Sequence, residues 1–160
     1  MSKVIATTLP HTSLLTDRIQ QSDFVDCYAV ESQLSPRQAA NIIADFPDWA
    51  RFLVNIRNAV VSKFGLLEDV PGVSDKVGFF PVECETDQEL IAGFNDKHLD
   101  FRISVLSKDG RVFLSTWVHP HNIGGRIYLN TILPFHILIV RNALTRVHAM
   151  NHEIKTDSLG

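Results

Sequence analysis

Between residues 89 and 122, apolar and polar side chains alternate with a period of two, and turn signals cut the run into strands. The stretch from His98 to Ser107 is the most regular, with Leu99, Phe101, Ile103 and Val105 alternating with His98, Asp100, Arg102 and Ser104. Such alternation sends one set to each face of a strand. Asp109-Gly110 is the strongest short hairpin signal, because a two-residue turn of the favoured hand needs positive φ at both positions. It pairs Lys108 with Arg111, and therefore Val105 with Leu114, Ile103 with Thr116 and Phe101 with Val118. A second tight turn at Asp96-Lys97 pairs Phe94 with Leu99 and Ala92 with Phe101. Directly opposed residues share a face. Both turns thus predict one apolar surface made of Leu90, Ala92, Phe94, Leu99, Phe101, Ile103, Val105, Leu114, Thr116 and Val118. A slip of one residue inverts it.

The flanking segments supply the other elements. Residues 24–31 mix β-branched, aromatic and polar residues as a strand does. Ser35 as N-cap, Pro36 at the first helical position and Gln38 three residues on form a capping box, followed by the apolar stripe Ala39, Ile42, Ile43 and Phe46. Trp49, Phe52, Leu53, Ile56, Val60 and Phe64 then fall at helical spacing, ended by Gly65. Phe46-Pro47 joins the two helices as a short bent pair. Residues 66–76 read as a loop and 77–84 as a strand whose Pro81 places it at an edge or bulge. Gly124-Gly125 ends the strands, and a long helix runs from about Arg126 to Met150, kinked by Pro134, with its first half apolar nearly all round. Residues 1–23 carry no clear element, and 151–160 read as a polar, flexible tail. The prediction is a single α+β domain over residues 1–150, an antiparallel sheet with a long C-terminal helix and a short helix pair after the first strand.

Composition narrows the class of partner. Fifteen Lys and Arg against eighteen Asp and Glu give a net charge of −3, which argues against a nucleic-acid partner. Residues 127–140 are apolar-rich but contain Asn130, Thr131, Pro134 and His136; a span needs about 20 residues, so they read as a core helix and no membrane span is expected. The start lacks a run of signal-peptide length, and Cys27 and Cys84 define no framework, so a cytoplasmic protein with two free thiols is expected. No glycine-rich phosphate loop, GxSxG elbow or HExxH occurs, and no cofactor is expected. Residues 64–100 hold nine acids and two bases, whereas 110–152 hold four Arg, five His and no acid. An internal charge match explains this, as does an anionic group near Arg126 and Tyr128 at the positive end of the last helix.

The element order resembles the helix-grip fold of the START and birch-pollen-allergen-like (SRPBCC) superfamily. The runs His98-Leu-Asp-Phe-Arg102, His121-Asn122, Gly125-Arg126-x-Tyr128-Leu129 and Pro134-Phe135-His136-x-x-Ile139-Val140 resemble an uncharacterised bacterial family, a domain of unknown function, placed in that superfamily. The resemblance implies a curved sheet wrapped around the last helix with a ligand cavity between them, and no reaction.

Candidate residues follow from these patterns. The apolar face and the helix either pack tightly as core or leave a cavity lined by Phe94, Phe101, Ile103, Thr116, Val118, Phe135 and Ile139, with Thr116 and His136 as polar groups. Arg126 and Tyr128 stand at its charged end. On the opposite face, the hairpin register brings His98, Asp100, His119 and His121 to one patch, a set suited to zinc or another transition metal. Pro120 and the patch's place outside the cavity favour instead a polar brace for Arg102 and the loop ends. Three functions are carried forward: a binder of a small apolar or amphipathic molecule; an enzyme such as a cyclase or hydrolase, using His119 with Asp100, or His136, as general acid or base; and an interaction domain without a cavity. A homodimer is compatible with each.

Overall fold

The computed structural model describes residues 3–48, 75–78, 80–95 and 97–158. Strands β1 (Ile5–Thr7), β2 (Phe24–Glu31), β3 (Lys76–Val77), β4 (Phe80–Glu85), β5 (Glu89–Asn95), β6 (Leu99–Lys108) and β7 (Arg111–Pro120) are joined by helices α1 (Pro36–Ala44) and α2 (Ile123–Asp157), with a short 3-10 turn at Thr16–Arg18. All pairings are antiparallel, in the order β1-β2-β7-β6-β5-β4-β3. The expected second helix, from Trp49 to Gly65, and most of the loop after it lie outside the described residues.

The β6–β7 hairpin has the predicted register at every pair, from Lys108↔Arg111 to Phe101↔Val118 and Asp100↔His119. Its turn has positive φ at both Asp109 (52°) and Gly110 (72°), the backbone that this dipeptide favours. The β5–β6 register differs from expectation: Phe94 pairs with Phe101 and Ala92 with Ile103, not with Leu99 and Phe101. A longer connection has slid the strands by two residues. A shift of two conserves the pleat, so the predicted apolar face survives the error. Leu90, Ala92, Leu99, Ile103, Val105, Leu114, Thr116 and Val118 are all buried. The expected single strand at 77–84 is two, because Gly78 turns with φ +60° and pairs Val77 with Phe80; Pro81 lies just before a bulge between Val82 and Cys84.

Helix α1 starts as its sequence dictates, with Ser35 Oγ accepting the Gln38 N–H and Gln38 Oε1 accepting the Ser35 N–H. Its Ala39, Ala40 and Ile43 join Tyr28, Val30, Leu90, Val105, Leu114, Ala143, Leu144 and Val147 in the main core. Residues 1–23, unassigned from sequence, form β1 and then cover the outer face of the sheet, where Leu15 packs with Ile91 and Trp117. The buried Glu89 fastens this segment: its carboxylate accepts from the Ser13 and Ser104 hydroxyls and the Leu14 N–H.

Helix α2 is longer than expected at both ends and continues through Pro134 to Asp157. Asn122 caps it by accepting the Gly125 N–H. The expectation that residues 127–140 are core is overturned, since Ile127 is 62%, Leu138 59% and Phe135 44% exposed. Val140, Ala143, Leu144 and Val147 are buried, a single stripe facing the sheet at helical spacing. Each residue turns the helix by about 100°, so Phe135 falls off the stripe that His136 shares. By length and composition α2 is also apolar enough to cross a membrane, and only 11% of the relevant stretch is buried in the protein.

Candidate functional site

The inner face of the sheet carries cross-strand rows that the registers define. One row runs Phe24, Val118, Phe101, Phe94, and the next runs Asp26, Thr116, Ile103, Ala92, Val82. Five of the residues proposed from sequence, Phe94, Phe101, Ile103, Thr116 and Val118, are therefore neighbours in two adjacent rows. Phe94 and Phe101 lie 5.5 Å apart by ring centroid, and both contact Phe80 at 6.3 and 5.6 Å. Together they form an aromatic surface at the β4 side of the rows.

At the β2 side the rows end in polar groups. His136 reaches down from α2, its Nε2 2.9 Å from Asp26 Oδ2, and the edge of its ring meets Phe24 at 6.1 Å. The second carboxylate oxygen, Asp26 Oδ1, is buried without a hydrogen-bond partner, and so is Thr116 Oγ1 directly across the strand pair. Buried polar atoms are nearly always satisfied, because leaving one unmet costs about 1–3 kcal/mol. Two such atoms on register-paired residues beside an imidazole make a compact donor and acceptor set: a carboxylate oxygen that can accept, a hydroxyl that can do either, and a ring nitrogen hydrogen-bonded to the carboxylate's other oxygen.

His136 and Thr116 were both proposed from sequence; Phe24 and Asp26 were missed. Their alternate positions in a predicted strand put them on one face, but only the β2–β7 pairing, across some ninety residues of chain, tells which face. Of the remaining candidates, Ile139 and Tyr128 are half-buried on α2, while Arg126 and Phe135 are exposed, off the sheet-facing stripe.

The four-residue patch on the outer face does not converge as the register alone suggested. His119 Nδ1 is 2.5 Å from Asp23 Oδ1, His121 Nε2 is 3.0 Å from Asp100 Oδ1, and His98 Nδ1 is 3.3 Å from the capping Asn122. Side chains from two other segments, Asp23 and Asn122, have divided the set between them. Among the described residues no group of three metal-ligating side chains is assembled. The arrangement is a set of separate polar pairs and not the expected brace for Arg102. Burial of Asp23 raises its pKa, but hydrogen bonds from His119, the Gln20 N–H and Trp117 outweigh this and hold it below the ordinary range. Arg102 is held from outside the patch, its guanidinium on Glu83 and on the Phe101 carbonyl.

No curated protein and no solved structure matches the chain. A family model described as "Protein of unknown function (DUF2867)" does match, over residues 18–143, and the chain belongs to that family.

Proposed function

We propose that the protein binds a small amphipathic molecule between the sheet and α2, its polar group meeting Asp26, Thr116 and His136 and its apolar part lying along Phe24, Val118 and Phe101. The observation that carries this reading is the pair of buried, partnerless oxygens, Asp26 Oδ1 and Thr116 Oγ1, on directly opposed residues. A packed core has no use for them, whereas a ligand with a hydrogen-bond donor and acceptor satisfies both. Binding sites combine apolar walls with a few placed polar groups in this way. Covered apolar surface contributes roughly 25 cal/mol per Å², and the polar group sets orientation. The place in the START-like superfamily belongs to the same proposal. It is supported by β2, the strand preceding α1, lying beside β7, the last strand of the meander, and by the long helix that follows.

The test is native mass spectrometry of freshly purified chain, beside the Thr116→Val and Asp26→Asn variants. Wild type is expected to carry a non-covalent small-molecule mass whose occupancy falls in both variants. Apo protein alone in the wild type, or equal occupancy in all three, overturns the reading.

The His136–Asp26 contact of 2.9 Å favours a second reading. A carboxylate held on an imidazole fixes the orientation of the ring, which aims His136 for general acid–base work on a bound molecule. His136→Gln separates the two: a binder holds the same molecule at lower occupancy, whereas an enzyme variant holds an unconverted molecule whose mass differs from the product formed by wild type.

A further inference from the structure

The exposed C-terminal part of α2 holds a second constellation, remote from the Asp26 rows. His148 and His152 are one helical turn apart, with their Nε2 atoms 3.0 Å from each other and ring centroids 4.5 Å apart. His148 Nδ1 lies 2.9 Å from the Glu31 carbonyl oxygen. A carbonyl only accepts, so Nδ1 carries the proton and the His148 Nε2 lone pair is free to point at His152. That is the device by which proteins orient a metal-binding imidazole: a backbone carbonyl on one nitrogen fixes the tautomer and leaves the other nitrogen bare. His152 is solvent-exposed, and a proton moved from its Nε2 to its Nδ1 gives a second bare nitrogen without any change in charge.

We infer that His148 and His152 form a two-imidazole site for a divalent transition-metal ion. Their Nε2 atoms, 3.0 Å apart in a hydrogen bond, are close enough for one ion to bridge both, with metal–nitrogen bonds of about 2.0–2.1 Å, once the shared proton has moved away. Imidazole suits Ni²⁺, Cu²⁺ and Zn²⁺, and Ni²⁺ and Cu²⁺ stand high in the affinity order. The remaining positions fall to water. His148 also lines an open pocket of about 330 Å³ with Lys3, Glu31 and Arg111, whose two cations suit a small anionic co-ligand. Imidazole pairs four residues apart on a helix are bidentate by construction, since residues i and i+4 share a face.

The test uses the full chain without a polyhistidine tag. Calorimetric titration with Ni²⁺ alone is expected to show one site, and His148→Gln and His152→Gln are each expected to weaken it by at least about tenfold, the low end of what loss of even an outer partner costs. His121→Gln, on the outer face of the sheet, is the control and should bind as wild type does. Electron paramagnetic resonance with one equivalent of Cu²⁺ should show two nitrogen ligands in the wild type and one in either variant. Circular dichroism verifies that the variants keep the helix, and His152 is exposed enough that its replacement leaves folding intact. No Ni²⁺ binding by the wild type, or undiminished binding by folded His152→Gln, overturns the site.

Discussion

In protein freed of any bound molecule, replacing Thr116 with Val should raise stability, the reverse of what most substitutions of a fully buried residue do. Thr116 is 1% exposed, and its hydroxyl oxygen has no hydrogen-bond partner. A buried hydroxyl without a partner costs about 1–3 kcal/mol by protein mutational data. Valine keeps the branching and replaces the hydroxyl with a methyl that packs against Ile103 and the inner face. A gain of about 1–2 kcal/mol follows, which for a domain of this size is roughly 3–6 °C in Tm. Urea unfolding followed by circular dichroism measures it, with an unchanged m-value showing that only stability has moved. Ser104→Ala is the internal counterpart. Ser104 is also 1% exposed, but its hydroxyl donates to the Glu89 carboxylate, and a hydrogen bond to a charged group contributes about 1.5–3 kcal/mol, so that variant should lose stability. A Thr116→Val protein destabilised by 1 kcal/mol or more (about a fivefold change in the folding equilibrium) would mean that the hydroxyl is already bonded within the protein, to Asp26 above all. The case for a ligand at this point would then fail.

Two further outcomes test the frame around the site. Gly125→Ala should destabilise the fold by about 2 kcal/mol or more, read by urea unfolding, because a Cβ there would sit 2.2 Å from the His98 carbonyl oxygen, where the start of α2 rests on the β5–β6 connection; a neutral result would show that the helix start can move away. Glu83 is held down to about 2 from its ordinary 4.5, chiefly by the Arg18 hydrogen bond and against the opposing effect of burial, with Arg102 adding to the lowering. A depressed carboxyl contributes stability above its unfolded value and loses it as pH falls through the folded one, so denaturant midpoints should decline between pH 4.5 and 2, and Glu83→Gln should flatten the decline. The pair is about one-third exposed, so the effect is at most about 1 kcal/mol; identical slopes in the two proteins would remove the Arg18–Glu83–Arg102 cluster from the account.

What could be read from the chain alone was whatever depends on near neighbours. The Asp109-Gly110 turn, the Ser35–Gln38 capping box and the inward face of β5, β6 and β7 all rest on contacts within a few residues or on the period of two. That period is forgiving: the β5–β6 register slid by two positions and the face was still right. The long helix was legible as a helix, but which of its sides meets the sheet was not: of the neighbours Phe135 and His136, both expected to line a cavity, only His136 faces the sheet, one step of about 100° apart. Tertiary structure decided the rest. Asp26 met Thr116 and His136 only because β2 lies beside β7 and α2 crosses both, and Asp23 took His119 from the expected histidine patch by the same pairing. Local torsional and hydrophobic preferences are written into adjacent residues; the partner of a polar side chain is set by whichever distant segment the fold brings against it, and no spacing within one strand carries that information.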